Sequence, residues 1–173
     1  MLKKSHGFTL VEVLTVIAIA GIMLMIAAPN FASLSADSRA FSAVNGIARD
    51  LMYARNQAVN NMTTVAVCPL AGGSACTSDW SKGVDVFIDT NENDKLDTGE
   101  TLLKSGSAFH ESDQVSFEQK SVRFGADGLT RNVSGSAIFY YCDDKESVKK
   151  GVVISSSGRA KVAEQGSISK CHS

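Results

Sequence analysis

Histidine, proline and tryptophan are scarce: three, two and one in 173 residues, with a net charge of only −1. The histidine shortage weakens any catalytic reading. His6 lies near the start, His172 is next to last, and only His110 has carboxylates nearby, in a polar stretch with Glu111 and Asp113. There is no Gly-x-Ser-x-Gly, no phosphate-cradling glycine loop and no metal-ligand helix. The near-neutral charge is not the footprint of a generic nucleic-acid binder, which carries a basic surplus. No internal repeat or low-complexity linker divides the chain, whose length suits one domain with a moderate core. No Cys-x-x-Cys occurs among the four cysteines.

Apolar residues are instead concentrated at the N-terminus. Gly7-Phe8-Thr9-Leu10-Val11-Glu12 opens a run that continues to Ala28 with Glu12 as its only charge. A helix over residues 8–28 would rise about 30 Å, one hydrocarbon core. An unpaired carboxylate in hydrocarbon costs several kcal/mol, so Glu12 needs a partner. The nearest cation would be a free amine made by cutting the chain after Gly7. Lys3 and Lys4 precede the run and by the positive-inside tendency stay cytoplasmic, placing the C-terminal bulk outside. A cut before the apolar stretch leaves that stretch in the mature chain, unlike a secretory signal.

Lys3-Lys4-Ser5-His6-Gly7 followed by Phe8-Thr9-Leu10-Val11-Glu12 resembles the class III signal of type IV pilins and type II secretion pseudopilins. The resemblance implies a prepilin peptidase that cuts between Gly7 and Phe8 and methylates the Phe8 amine. It also implies that Glu12 pairs with the amine of a neighbouring subunit during assembly. Loss of residues 1–7 leaves 15 basic and 18 acidic residues. The implied location is the inner membrane, single-pass with a periplasmic C-terminal domain, and then the filament.

All four cysteines, Cys68, Cys76, Cys142 and Cys171, fall in the exported part, where disulfides persist. Three pairings are available. The favoured one joins Cys68–Cys76 around a short loop with Pro69, Gly72 and Gly73, and Cys142–Cys171, which would fasten the C-terminal end. Zinc is the alternative, with only His172 beside a cysteine.

The helix is expected to continue well past the membrane. Leu34, Phe41, Val44, Ala48, Leu51, Ala54, Ala58 and Met62 recur at helical spacing between polar residues, an apolar stripe that needs a surface to cover. Pro29 should kink or locally break the helix, and Gly21 adds a second soft point. By resemblance, Gly21 to Pro29 is the piece that loses helicity on filament packing. After Asn61 short alternating runs read as strands: 64–68, 84–88, 115–117, 122–124, 137–141 and 151–154, with Lys161-Val162 adding one more. Gly125–Gly128 and Ser157-Gly158 read as turns. The fold class is α+β: a leader (1–7), a transmembrane or filament-core helix (8–28), an amphipathic half of the helix (29–62) and an antiparallel β domain (63–173).

The β half, with Trp80, Gly83, Val86-Phe87-Ile88-Asp89-Thr90-Asn91, Glu100, Leu103, Val122-Arg123-Phe124 and Val153-Ile154-Ser155 before Gly158-Arg159, resembles the FimU, FimT and GspH group. That resemblance implies a minor pilin near a pilus tip, working with other minor pilins and the major pilin. The alternatives are a type II secretion pseudopilin and a DNA-receptor pilin for natural transformation. The FimT branch carries Gly-Arg-x-Arg in DNA capture. Here Gly158-Arg159-Ala160-Lys161 keeps the charge but replaces the last guanidinium fork with an amine. Lys149, Lys150 and Lys170 could extend the patch, and a β-turn with solvated charges is the other reading.

One further constellation spans Asp89 to Glu100. Asp89, Asn91, Asn93, Asp97 and Glu100 occupy places one, three, five, nine and twelve of a twelve-residue loop, the spacing that surrounds Ca²⁺. Place six is Asp94 where such loops carry glycine, and the flanks read as strands. The other reading is a solvated acidic hairpin held by its own Asx turns. No other cofactor is implied.

Overall fold

The computed structural model describes residues 8–145, 147–164, 166–168 and 171, except for the side chains of residues 26–32. Helix α1 spans Leu10–Asn61 without interruption. The local break considered at Pro29 is therefore not found. Proline withholds one N–H, and the flanking ladder bonds are enough to carry the helix past it. The chain divides within α1 into two compact units, Met1–Asp37 and Ser38–Ser173.

In the first unit the large apolar side chains from Leu10 to Met25 are exposed on every side of the helix. Among the described residues no helix is long and apolar enough to cross a membrane. The described side chains of the run stop at Met25, so a span over residues 8–28 rests on the sequence.

In the second unit α1 buries Ala40, Val44, Ile47, Leu51, Ala54 and Ala58, alternating steps of four and three. This corrects the expected stripe. Phe41 and Met62 are exposed, Ala48 is half-buried, and Ala40 and Ile47 take the inner positions. Alanines at 40, 54 and 58 let the helix backbone approach the strands closely, so small residues hold places that a size-weighted reading gives to Phe41.

Two antiparallel four-stranded sheets complete this unit. One has the order β3-β2-β1-β5 and the other β4-β6-β7-β8. The strands are β1 (Val65–Cys68), β2 (Asp85–Ile88), β3 (Leu102–Lys104), β4 (Asp113–Ser116), β5 (Val122–Phe124), β6 (Ser136–Asp143), β7 (Lys149–Ser155) and β8 (Ala160–Val162). Each expected strand is present, β5 with the expected ends and the others with shifted ones. β3 was not anticipated, because Leu102-Leu103-Lys104 is short and does not alternate. The Gly125–Gly128 turn closes through Gly128 N–H to Gly125 O at 2.8 Å, and the β7–β8 hairpin through Gly158 N–H to Ser155 O at 2.9 Å.

The Trp80 ring anchors the core. It lies edge-on to Phe139 (4.9 Å) and Phe117 (5.6 Å), and its Nε1–H donates to Gln119 O at 2.9 Å. Burying an indole with its one donor satisfied is the arrangement in which tryptophan stabilises a core most.

Candidate functional site

Thr9 immediately precedes the first residue of α1. Its N–H and Oγ1–H both donate to Glu12 Oε2, at 3.3 and 3.2 Å, and Glu12 N–H donates back to Thr9 Oγ1 at 3.3 Å. This is a reciprocal capping box, satisfying donors that a helix start leaves open and placing a negative charge at the positive end of the helix dipole. Glu12 is thus not unpartnered within its own chain, as the sequence reading assumed. Thr9 was missed as its partner, although Thr9-Leu10-Val11-Glu12 carries the Thr-x-x-Glu signature. The carboxylate and Phe8 remain exposed. Gly7 lies outside the described residues. Beyond its chain neighbours and the backbone of its own helix turns, no described atom comes within 4 Å of the position a Cβ would take on Gly21, and Pro29 lies where side chains are not described.

The cysteines pair as favoured. Cys68–Cys76 has a Cα separation of 5.5 Å and Cys142–Cys171 one of 6.2 Å, which leaves no thiolate for zinc. The C-terminal bridge holds a strap across β7, where Ala163 N–H donates to Gly151 O at 2.8 Å and Ile168 is buried. Buried Asp85 accepts from Leu70 N–H at 2.8 Å and Gly106 N–H at 2.9 Å, tying the first disulfide loop to the strand that follows.

The Asp89–Glu100 loop is closed on itself. Asp89 accepts from the N–H groups of Asn93 (3.0 Å) and Asp94 (3.1 Å). Asp97 Oδ2 accepts from the amides of Asn91 (3.0 Å) and Asn93 (2.7 Å), and Glu100 accepts from Thr90 N–H, Thr90 Oγ1–H and Asp97 N–H. The two asparagines thus turn donors, not oxygens, toward the centre. Asp94 adopts φ 61°, the left-handed conformation expected of glycine at place six. It accepts from Ser121 Oγ at 2.7 Å and lies 3.7 Å from both Lys120 Nζ and Arg123 Nη1. Arg123 also donates to Glu92 O. These cations, missed in the sequence, stand against Asp94 from within the chain. Among the described residues no group of three or more His, Cys, Asp or Glu is arranged to hold a metal. Asn93 N–H donates to Asn91 Oδ1 at 3.3 Å and Lys95 N–H to Asn93 Oδ1 at 2.9 Å, the local bonds of the Asx-turn reading. The Asn91 and Asn93 bonds hold the Asp97 carboxyl below its ordinary range, and burial pushes that of Asp89 up.

Arg159 and Lys161 are exposed at the end of the β7–β8 hairpin. Lys161 pairs across with Val153, and Lys150 stands three residues further along β7, about 10 Å away at strand spacing. The expected extension of the patch by Lys149 and Lys150 is therefore not a tight cluster, and Lys170 lies outside the described residues. Arg55 of α1 reaches this corner instead, donating through Nε to Gly128 O at 3.0 Å.

His110 makes no carboxylate dyad: its Nδ1 lies 2.8 Å from Ser112 Oγ. Buried Asp113 is gripped by Arg39, with Nε and Nη2 each 3.3 Å from a carboxylate oxygen. Burial, then the neighbouring Asp113, pushes the Tyr141 hydroxyl well above its usual range. The Arg39–Asp113 pair joins α1 to β4.

A family model described as Type II transport protein GspH matches residues 43–158, and one described as Prokaryotic N-terminal methylation motif matches residues 2–28. No curated protein matches. Solved structures of similar fold include the type IV minor pilin FimU of Pseudomonas aeruginosa (strain PAO1). Its TM-score is 0.58 at 19% identity, over 78% of this chain and 92% of that one. The minor pseudopilin EpsH from the Type 2 Secretion System of Vibrio cholerae gives 0.53 at 11% identity, over 74% and 98%. At such identities the likeness is one of fold.

Proposed function

Because the chain belongs to the GspH family, whose members are structural pilin and pseudopilin subunits that assemble with other pilins, we propose that it is a tip-proximal minor pilin promoting assembly of a type IV pilus. In this reading prepilin peptidase cuts between Gly7 and Phe8 and the Phe8 amine is methylated. The chain waits in the inner membrane with its β domain in the periplasm. Glu12 then favours insertion where its charge meets the Phe8 amine of a neighbour, alongside other minor pilins and the major pilin, and Gly21 to Pro29 extends as the helices pack. The observation that carries the reading is the methylation motif over residues 2–28 joined to an exposed carboxylate in the first turn of a helix with exposed apolar sides.

The description of the matching family favours a second reading, a GspH-type pseudopilin of a type II secretion system. DNA capture through Arg159 and Lys161 is supported only by their exposure. Deleting the gene and scoring surface pili with twitching, secreted protein and transformation separately tests all three. Loss of piliation with normal secretion is expected; intact pili and twitching would overturn the pilus assignment.

A further inference from the structure

The two disulfides are held in unlike ways. Cys68 is the last residue of β1 and is wholly buried. Its partner Cys76 lies in a segment bonded on both sides. Cys76 N–H donates to Asp94 O at 2.9 Å, Thr77 N–H to Pro69 O at 2.9 Å and Leu96 N–H to Ser74 O at 2.6 Å, and Ala75 bridges to Lys95. Buried Asp85 fixes Leu70, two residues past Cys68. Without the bridge, these bonds still keep the two sulfurs side by side.

Cys171 has no such frame. Past β8 the described residues form no helix or strand. Ala163 N–H donates to Gly151 O at the root of the strap, but further out Ser167 N–H and Oγ–H both turn back to Glu164 O, at 3.0 and 2.6 Å. Ile168 is the one buried side chain among the described strap residues. It sits over Gly151, where a Cβ would stand 3.0 Å from Ile168 Cδ1. Phe139 and Tyr141 of β6 join the core, so strand alternation puts Tyr140 and Cys142 on the outer face. Gly151 pairs with Tyr140 on that face. Gly151 and Cys142 are nonetheless buried, on the face that the strap crosses.

We propose that Cys142–Cys171 is a redox latch, opened by thiol reductants that leave Cys68–Cys76 closed. In the opening step two reductant thiols become one disulfide, and the Cys142 and Cys171 sulfurs take the two electrons and two protons. Whether a protein disulfide survives a given thiol buffer depends on the effective concentration of its two thiols once reduced. At Cys68 and Cys76 the surrounding bonds outlast reduction and keep that concentration high. At Cys142 and Cys171 the Ile168 contact is what holds the described part of the strap beyond its root, and the reduced thiols part when it lifts. Opening bares Gly151 and the Cys142 thiol on the outer face of the second sheet, while the first sheet stays closed.

Full-length chains in detergent, equilibrated in glutathione buffers of rising reducing strength, then alkylated and digested, report each pair separately by mass spectrometry. The scale is the square of reduced glutathione over oxidised glutathione. Cys142 and Cys171 are expected to be half-reduced at a value about tenfold or more below that for Cys68 and Cys76. Ile168→Ala should lower the first midpoint by a further factor of about ten, because the strap loses its buried side chain, and should leave the second where it was. A single shared midpoint, earlier reduction of Cys68–Cys76, or a Cys142–Cys171 midpoint unmoved by Ile168→Ala overturns the latch and leaves the family assignment standing.

Discussion

At Asp97, two amide side chains converge on one carboxylate oxygen, and the carboxyl is held below its ordinary range by those bonds. A depressed folded value means the stabilisation is present above the unfolded value, about 3.9, and is lost as pH falls through the folded one. The Asp97→Asn variant should therefore melt lower at neutral pH, with its curve converging on that of the parent in acid. Thermal melts across pH 2 to 7 check this, and parallel curves would contradict it. Millimolar Ca²⁺ should not raise the parent midpoint, because the Asn91 and Asn93 amides hold Asp97 and the cations Lys120 and Arg123 stand beside Asp94. The spacing of oxygen-bearing residues was plain in the sequence. The pairing of Asp94 with Lys120 and Arg123, almost thirty residues on, was not, because strand pairing brings those cations to the loop.

Elements were legible where their pattern was long. A 52-residue helix declares itself through repeated apolar spacing, yet its inner face was misplaced toward Phe41 because Ala40 carries little weight in a stripe. Three-residue β3 has too few positions to show alternation. Among its described residues the C-terminal strap has no helix or strand of its own, and only the spacing of Cys142 and Cys171 hinted at it. Its stability should rest on that bridge. Closing 29 residues constrains the unfolded chain by roughly 3–4 kcal/mol in the chain-entropy account. The Cys142→Ser/Cys171→Ser double variant should lose a stability of that order in urea. Amide exchange at Ala163 should accelerate more than at β1, since the strap opens first. Uniform acceleration across both sheets would show that the bridge supports the whole core rather than the strap.

For the whole molecule, the capping box gives Glu12 two separable jobs: it closes the start of α1, and it carries the only charge in the apolar run. Glutamine serves the third position of a capping box as glutamate does, so Glu12→Gln keeps the local bonding and removes the charge, while Glu12→Ala removes both. If the acid acts only as a cap, the glutamine variant should enter filaments normally and the alanine variant should fail. If the charge sets registry against the Phe8 amine, both should be cut after Gly7 and both should be missing from the filament, because burying either neutral side chain leaves the neighbour's amine without its counter-charge. The second outcome is expected. Mass spectrometry of the membrane-held protein checks that it begins at Phe8, and immunodetection in sheared filaments measures incorporation. Normal incorporation of Glu12→Gln would reduce Glu12 to a helix cap and leave assembly to the β domains.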